Sequence, residues 1–295
     1  MDSQFQESAY AKINLYLHVT GKRPDGYHLL DSMAIFAEAA DRLILLPVSP
    51  QEGKISLEIT GPFASELQRM DPQDNLIVRA ANILAKKSGK DLPSAHILLE
   101  KNLPVASGIG GGSADAAATL RLLKRYWELP FTEQEMHDIA LTLGADIPVC
   151  LQSQALRMEG IGEILTSFEH IPSFGMVLVN HGEAVSTQEV FAKREAAFSS
   201  RAQLDLKWSG FQSLVRTISE QHNDLQEPAC KIKPTIKKVL DEIQSLPDCR
   251  LARMSGSGAT CFGLFDTPEI AKKKASILTS RNPNWWVWGG GHHNL

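Results

Sequence analysis

The sequence predicts an α+β protein with two lobes. Strand-like and helix-like segments are mixed along the 295 residues without the strict alternation that a parallel βαβ sheet produces. Glycine-rich segments interrupt both halves of the chain, at 107–114 and at 255–258. The length suffices for one large or two ordinary domains, and we place the domains at 1–160 and 161–295.

The first half opens with a strand and a turn. Apolar and polar residues alternate from 11 to 19, which predicts a half-buried strand. The pattern assigns the apolar set to the core: Ala11, Ile13, Leu15, Leu17 and Val19. It assigns the polar set to the outer face: Lys12, Asn14, Tyr16 and His18. Pro24, Asp25 and Gly26 predict a tight turn. Further strands are predicted at 41–46 and 54–60.

Helices are predicted on both sides of the first glycine segment. One covers 74–89, with Asp74 as its N-cap and Gly89 at its end. A strand at 94–102 leads into the glycine segment, and an alanine-rich helix follows that segment at once. The next helix begins with a capping box from Thr132 to Glu135 and ends at Gly144.

The second half repeats the mixture of strands and helices. Strands are predicted at 175–180 and 284–289, and helices near 188–197, 211–220, 234–245 and 268–280. The segment 249–265 predicts a strand, a glycine turn and a second strand. The terminal letters GGGHHNL predict a loose tail.

Composition excludes several classes of function. The net charge of -4 and the pI of about 6.1 argue against a general nucleic-acid binder. No apolar run approaches the roughly 18 residues of a membrane span, and the N-terminus lacks the pattern of a signal peptide. The four cysteines form no C-x-x-C pair, so we expect a reduced, cytoplasmic protein without a zinc site.

The first glycine segment predicts a phosphate site. Glycines allow the backbone to fold around an anion, and a helix start offers free N–H groups and a partial positive charge. The hydroxyl of Ser113 is available to phosphate or metal. A tight turn between a helix and a sheet is the structural alternative. The P-loop lysine pattern is absent, and Ser113 stands where a dinucleotide fingerprint needs glycine.

Three other features are open to two interpretations each. Gly256 and Gly258 indicate either a plain hairpin or a close backbone approach. Lys12 is either a solvated side chain or an ammonium that stabilises developing negative charge. Asp146 is either a turn residue or an acceptor for a substrate proton. Spacing alone does not join Lys12 to Asp146.

Together these segments resemble the GHMP kinases. The resemblance runs from about Ala11 to Phe265 and rests on AKINLYLHVTGKRPDGYHLLDS, LPVASGIGGGSADAAATLRLL, LGADIPVCL and RMSGSGATCFGLF, in this order. It implies an N-terminal ATP-binding lobe similar to ribosomal protein S5 domain 2, and a C-terminal lobe similar to ferredoxin. It also implies an active site between the lobes, with ATP as phosphoryl donor and Mg²⁺ as its companion ion.

The resemblance also implies roles for particular residues. Lys12 and Asp146 match the catalytic lysine and aspartate of the family, and Asn75 matches a contact on the adenine side. The ATP phosphates are expected on the glycine loop: Pro104, Val105, Ala106, Ser107, Gly108, Ile109, Gly110, Gly111, Gly112, Ser113 and Ala114.

The GKRPDGYH segment resembles a family member that acts on a small molecule containing cytidine diphosphate. The residues expected at that substrate are Asn14, Tyr27, His28, Asp146, Thr187 and Phe191. Tyr27, His28 and Phe191 would contact the cytosine, although core packing of Phe191 and a turn role for Tyr27 are alternatives. We expect no nucleic-acid or membrane partner, and a monomer or weak homodimer.

The chain departs from the family at two loop positions. Ala114 lacks the usual hydroxyl, and Asp115 places an acid where the family has asparagine. Asp115 is expected to interact with the helix dipole, close to the bound polyanion. Two rival functions remain: another GHMP kinase that phosphorylates a different alcohol such as homoserine or mevalonate, and a nucleotide-binding sensor without turnover.

Overall fold

The computed structural model describes residues 5–47, 55–68, 71–89, 91, 94–204 and 207–293. These residues divide into two compact units. The first unit comprises Met1–Ala11, Ala40–Val105 and Gly110–Gln152, and the second comprises Lys12–Ala39, Ala106–Ile109 and Ser153–Leu295. The division proposed at residue 160 stays a prediction.

The strands confirm most of the sequence-based assignments. They are β1 (Gln6–Lys22), β2 (His28–Leu46), β3 (Ile55–Thr60), β4 (Ala95–Glu100), β5 (Leu156–Gly160), β6 (Ile164–Ser167), β7 (Gly175–Asn180), β8 (Leu251–Met254), β9 (Cys261–Phe265) and β10 (Trp286–Gly291). The predicted strand at 41–46 is only the end of the much longer β2. The predicted start of β3 at Lys54 lies outside the described residues.

The helices follow the predicted periodicity. They are α1 (Ala64–Leu67), α2 (Leu76–Ser88), α3 (Gly111–Tyr126), α4 (Glu133–Leu143), α5 (Ile147–Gln152), α6 (Thr187–Ala192), α7 (Phe211–Ser219), α8 (Gln226–Ile232), α9 (Thr235–Gln244) and α10 (Pro268–Arg281). α6 ends five residues before the predicted 197, and α1, α5 and α8 were not predicted. α8 carries Pro228 in its first turn, where a missing N–H is tolerated.

The first unit packs helices around a short run of strands. β3 pairs in parallel with β4, and β4 pairs antiparallel with the end of β2. α3 packs against both α2 and α5, and α4 packs against α5. The buried face of α3 is rich in alanine, which allows this close helix packing.

The second unit contains an antiparallel sheet in the order β10-β7-β9-β8. α10 packs on β7 and β10, and α9 packs on β8 and β9, so helices line this sheet. The start of β2 pairs antiparallel with β5, which pairs with β6. A cluster of buried aliphatic residues, including Val177, Val179 and Ile243, fills the unit.

The predicted strand β1 is confirmed, but the predicted exposure of its polar side chains is not. Both sets of side chains are buried, and the polar set is as inaccessible as the apolar one: Lys12, Asn14, Tyr16 and His18 are exposed by 4%, 3%, 0% and 4%. The reason is that β1 is covered on its polar side by other segments, which alternation alone does not reveal. The turn at Pro24–Gly26 is confirmed, with Gly26 at a φ of +93°.

Helix caps agree with the sequence in one case and shift in another. Thr132 and Glu135 form the predicted capping box, and α4 is followed by Gly144. Asp74, predicted as the N-cap of α2, instead ends a short 3-10 helix at Pro72–Asp74. The cap is Asn75, whose Oδ1 accepts from the N–H of Ile77 at 2.9 Å.

The predicted loose tail is wrong over its described part. Gly289 to Gly291 are the end of β10 and pair with β7. The His292 ring stacks on Phe174 with centroids 4.4 Å apart, and its Nε2 lies 3.0 Å from the Pro172 carbonyl oxygen. Glycine is required at 289 because a Cβ there would lie 2.7 Å from the Ala271 carbonyl oxygen of α10.

Candidate phosphate-binding loop and substrate residues

The first glycine segment turns sharply before the start of α3. Ala106, Gly108 and Gly110 have φ values of +48°, +75° and +65°, and Gly110 is the N-cap of α3. Because a glycine cap has no side chain, it offers no side-chain acceptor to the first-turn N–H groups of α3. The predicted arrangement of strand, glycine loop and helix is therefore present, with an uncapped helix start.

The second glycine segment lies against the tip of the first within the second unit. The N–H of Thr260 donates to the Ser107 carbonyl at 3.0 Å, and the Ser255 hydroxyl donates to the Gly108 carbonyl at 3.1 Å. A Cβ on Gly108 would lie 2.5 Å from the Gly258 carbonyl oxygen. Of the two interpretations, the close backbone approach is correct, and the β8–β9 turn also fixes the glycine loop.

β1 brings Lys12 and Asn14 to the same loop tip. The N–H of Lys12 donates to the Ile109 carbonyl at 2.9 Å, and the N–H of Asn14 donates to the Ser255 hydroxyl at 3.1 Å. The Asn14 side chain donates to the Ser32 hydroxyl at 2.8 Å. Lys12 is buried, so the interpretation of this residue as a solvated surface lysine is wrong.

Two of the three predicted cytosine contacts form an aromatic pair. The rings of His28 and Phe191 stack with centroids 4.7 Å apart and planes 20° apart. Burial lowers the pKa of His28, and the nearby Lys22 and Arg194 lower it further. Tyr27 is 60% exposed in the turn before β2. The pair thus offers an uncharged aromatic surface with an exposed phenol beside it in sequence.

Thr187 is connected to the second glycine segment. It is the exposed first residue of α6, and its hydroxyl lies 2.7 Å from the Ser257 hydroxyl. Thr187, Asn14 and Gly108 therefore each contact the turn between β8 and β9.

Asp146 and Asn75 belong to the first unit. Asp146 is half-buried and directly precedes α5, which packs on α3. Asn75 uses its side-chain oxygen to cap α2, which leaves its amide nitrogen as the group with which it can contact a base.

Sequence reasoning missed a buried ion cluster formed by Asp41, Lys101 and Asp115. The Lys101 Nζ lies 2.5 Å from Asp41 Oδ2 and 2.7 Å from Asp115 Oδ2, and all three side chains are almost inaccessible. Asp115 was predicted only as an acid near the helix dipole. No sequence signal joined it to residues 14 and 74 positions earlier, because each is an ordinary strand-end or helix residue by itself.

A second buried cluster, also not predicted, is centred on Asp31. Arg157 donates to both Asp31 oxygens, from Nε at 2.8 Å and from Nη2 at 2.9 Å. The Tyr16 hydroxyl donates to Oδ1 at 2.9 Å, and the N–H of Ala202 donates to Oδ2 at 2.6 Å. This cluster supports the part of β1 next to Asn14.

The described residues contain neither a group of metal ligands nor a membrane-spanning helix. Nowhere in the described ranges do three or more His, Cys, Asp or Glu side chains group as a metal site would require. No helix in the same part of the chain combines the length and the apolar character that crossing a bilayer demands.

Known proteins share both the sequence and the fold. The profile of the GHMP kinases N terminal domain matches residues 75–154, and that of the GHMP kinases C terminal matches 208–284. A 4-diphosphocytidyl-2-C-methyl-D-erythritol kinase of Gluconacetobacter diazotrophicus is 51% identical, over 98% of this chain and 95% of its own. A protein of the same name from Rhodospirillum rubrum is 48% identical, over 95% of this chain and 90% of its own.

Solved structures agree with the sequence comparisons. A crystal structure of a 4-(cytidine 5'-diphospho)-2C-methyl-D-erythritol kinase superposes with a TM-score of 0.80 at 29% identity, covering 98% of this chain and all of that one. A homoserine kinase from Cytophaga hutchinsonii shares the fold with a TM-score of 0.69 at 13% identity, over 99% and 96% of the two chains. The predicted fold class is confirmed, and the chain belongs to the GHMP kinase family.

Proposed function

We propose that this chain transfers the γ-phosphoryl group of ATP to the 2-hydroxyl of 4-diphosphocytidyl-2-C-methyl-D-erythritol, giving the 2-phosphate and ADP in non-mevalonate isoprenoid biosynthesis. The observation that carries the proposal is the similarity, at about half identity and over nearly the full length, to kinases named for that substrate. Several residues that the reaction needs lie around the same glycine loop, which supports the proposal.

The glycine loop is the proposed holder of the ATP phosphates. The free N–H groups at the start of α3 are donors of the kind that bind phosphate, and the partial positive charge of the helix start favours an anion. Pro104 to Ala114 would contact the nucleotide, with Asn75 on its adenine side. This explains why the chain needs no P-loop lysine.

Asp146 is the proposed general base, and Lys12 is its electrostatic partner. As the substrate hydroxyl oxygen bonds to the γ-phosphorus, its proton passes to the Asp146 carboxylate, and the bond between the γ-phosphorus and the bridging oxygen of ADP breaks. The Lys12 ammonium would favour ionised Asp146 and stabilise the developing negative charge. The burial of Lys12 supports this role, because a desolvated ammonium acts more strongly on a nearby anion.

The cytidine end of the substrate is assigned to the second unit. Tyr27, His28 and Phe191 would hold the cytosine, since stacked aromatic faces suit a planar base and ring nitrogens select its polar edge. Asn14 and Thr187 would contact the polar part of the substrate. His28 and Phe191 already stack on one another, so we propose that the base either replaces this contact or extends it.

Magnesium is proposed as the companion of ATP. When bound, it neutralises phosphate charge and orients the transferring group. This ion is usually bound through one or two protein ligands, substrate phosphates and water. Ser113, half-buried at the start of α3, would add a hydroxyl to the phosphate contacts.

We also propose a cytoplasmic location for the reaction. Cys150, Cys230, Cys249 and Cys261 are free thiols, which suits a reducing compartment. The oligomeric state, monomer or weak homodimer, stays a prediction.

The function is tested by measuring ADP release with ATP, Mg²⁺ and each of three alcohols: the cytidylylated methylerythritol, homoserine and mevalonate. We expect turnover with the first alcohol only, at about 1–100 per second. Turnover with another alcohol would assign the chain to a different GHMP reaction. Tight ATP binding without ADP from any of the three would favour a nucleotide sensor.

Two variants test the residue roles. Asp146→Asn is expected to lower kcat by about 10²–10⁴-fold while ATP affinity stays near wild type, because only the proton acceptor is lost. His28→Ala is expected to raise the KM of the cytidine substrate and leave the KM of ATP unchanged. Wild-type turnover in Asp146→Asn would remove Asp146 from the base role, and an unchanged substrate KM in His28→Ala would remove His28 from base recognition.

A further inference from the structure

Asp41 holds the chain at the entrance to the glycine loop. Its Oδ1 accepts from the N–H of Asn102 at 2.6 Å and from the N–H of Leu103 at 2.8 Å. These residues immediately precede Pro104, the first residue of the loop. The carboxylate itself is fully buried within the second half of β2, so these bonds fix the loop entrance to the sheet.

Lys101 connects that entrance to the helix beyond the loop. Its Nζ donates to Asp41 Oδ2 and to Asp115 Oδ2, and Asp115 lies on α3 just after the loop. A Cβ built on Gly111 would lie 3.3 Å from the Lys101 Nζ. The ammonium therefore lies directly beside the first turn of α3, and the cluster joins the residues on both sides of 104–114.

We propose that Asp41, Lys101 and Asp115 are positioning residues for phosphoryl transfer, whose buried ion cluster fixes both ends of the glycine loop and so aims the first N–H groups of α3 at the ATP phosphates. The inference rests on the proposed function. Buried ion clusters often stabilise a fold no better than apolar residues would, so their presence under a loop of this kind suggests a geometric role.

The charge of the cluster is adjustable near neutral pH. Asp115 Oδ1 has no hydrogen-bond partner among the described residues. Burial raises the pKa of Asp115, Lys101 lowers it and Asp41 raises it. Together these effects place it at about 7. Burial would lower the pKa of Lys101, but Asp115 and Asp41 raise it, so the lysine stays charged.

The protonation of Asp115 changes what the cluster presents to a polyphosphate. With both carboxylates ionised, one positive and two negative charges leave a net -1 beside the helix start; with Asp115 protonated, the net charge is zero. The charged groups that shift the pKa of Asp115 are Lys101, which directly follows β4, and Asp41, which lies in the second half of β2. The neutral state opposes a bound polyanion less, so ATP binding favours proton uptake by Asp115.

The first experiment compares Lys101→Met with Leu123→Ala. Leu123 is fully buried on α3, two turns beyond Asp115, so its truncation weakens the helix packing without touching the cluster. Calorimetry of Mg-ATP binding and separate KM values for both substrates are the measurements. We expect Lys101→Met to weaken ATP affinity by about tenfold or more and leave the KM of the cytidine substrate within about twofold, whereas Leu123→Ala changes neither.

The second experiment uses Asp115→Asn and Asp115→Leu. The asparagine oxygen can accept from Lys101 as the carboxylate does, so this variant should recover most of the ATP affinity that the leucine variant loses. The asparagine variant should also lack the titration of residue 115. As pH rises from about 6 to 8, the wild type should therefore lose ATP affinity relative to Asp115→Asn. The ionisation of the nucleotide affects both proteins equally, so it drops out of this comparison.

These measurements separate the inference from the proposed function. Unchanged ATP affinity in Lys101→Met would overturn the inference while leaving the kinase activity intact. If that variant does not fold, equal ATP affinities of Asp115→Leu and Asp115→Asn overturn it instead. If wild-type protein binds ATP without transferring phosphate, the proposed function fails, and loss of ATP affinity in Lys101→Met still supports the positioning role.

Discussion

The two buried ion clusters differ in how completely their carboxylates are satisfied. In the second unit, Asp31 accepts four hydrogen bonds, two of them from Arg157 and one each from Tyr16 and Ala202. In the first unit, the Asp115 carboxylate accepts from Lys101 at Oδ2, and its Oδ1 has no partner among the described residues. A buried polar atom without a partner is costly, so the burial of Asp31 is better compensated than that of Asp115.

The two clusters also differ in the pKa shifts of their residues. Burial raises the pKa of Tyr16 far above its ordinary value, with a further contribution from Asp31, so the phenol stays protonated as a donor. Burial alone would lower the pKa of Arg157, but its bonds to Asp31 raise it. In the Asp31 cluster the Tyr16 phenol thus stays protonated and the Arg157 guanidinium stays charged, while the pKa of Asp115 lies near neutral pH. The first cluster is a structural support, and the second changes its charge with pH.

Removing the counter-ion of Asp31 should produce the largest loss of stability. Arg157→Ala leaves a buried carboxylate without its counter-ion, and we expect the free energy of unfolding to fall by about 3–5 kcal/mol in urea titrations. Lys101→Met should cost clearly less, because Asp115 can take up a proton. Equal losses in the two variants would contradict the distinction between the clusters.

Removing one donor from Asp31 should have an intermediate effect. Tyr16→Phe deletes a buried hydrogen bond to a charged acceptor, and we expect a loss of about 1.5–3 kcal/mol in the free energy of unfolding. Tyr126→Phe is the matched control, since the Tyr126 hydroxyl makes only a long contact of 3.5 Å with the Ser94 carbonyl. A control variant that loses as much as Tyr16→Phe would remove the special weight given to Asp31.

The pH dependence of stability should isolate the contribution of Asp115. An acid whose pKa is higher in the folded state than in the unfolded state binds more protons when folded, so stability falls as pH rises between the two values. For Asp115 that range runs from the ordinary aspartate pKa of 3.8 to about 7. Asp115→Asn should remove this decline, so the wild-type free energy of unfolding should fall relative to that of the variant from pH 4 to 7. A constant difference would contradict the raised pKa.

The sequence predicted what depends on neighbouring residues. Alternation located β1, the capping box of Thr132 and Glu135 located α4, and the glycine loop followed by an alanine-rich run located the start of α3. The resemblance then indicated which residues around the loop matter. These features are local, so a short stretch of sequence contains the physical cause of each.

The sequence did not reveal what depends on distant contacts. The burial of Lys12 and the order of the tail at His292 result from segments that pack against them from elsewhere in the second unit. The cluster of Asp41, Lys101 and Asp115 joins positions separated by up to 74 residues, and none of the three is unusual in its own surroundings. One-residue shifts, such as the cap of α2 at Asn75, depend on the short 3-10 helix before it.

The most direct test of the account is the phosphorus NMR spectrum of the product. The carbon that bears the 2-hydroxyl carries a methyl group and no hydrogen, so a phosphate on that oxygen has no proton three bonds away. We predict that the wild-type protein, given ATP, Mg²⁺ and the cytidylylated methylerythritol, yields ADP and an equal amount of a phosphomonoester whose signal lacks proton coupling. A phosphomonoester signal split by protons would place the phosphate on another hydroxyl, and inorganic phosphate alone would make water the acceptor; either result would contradict the account.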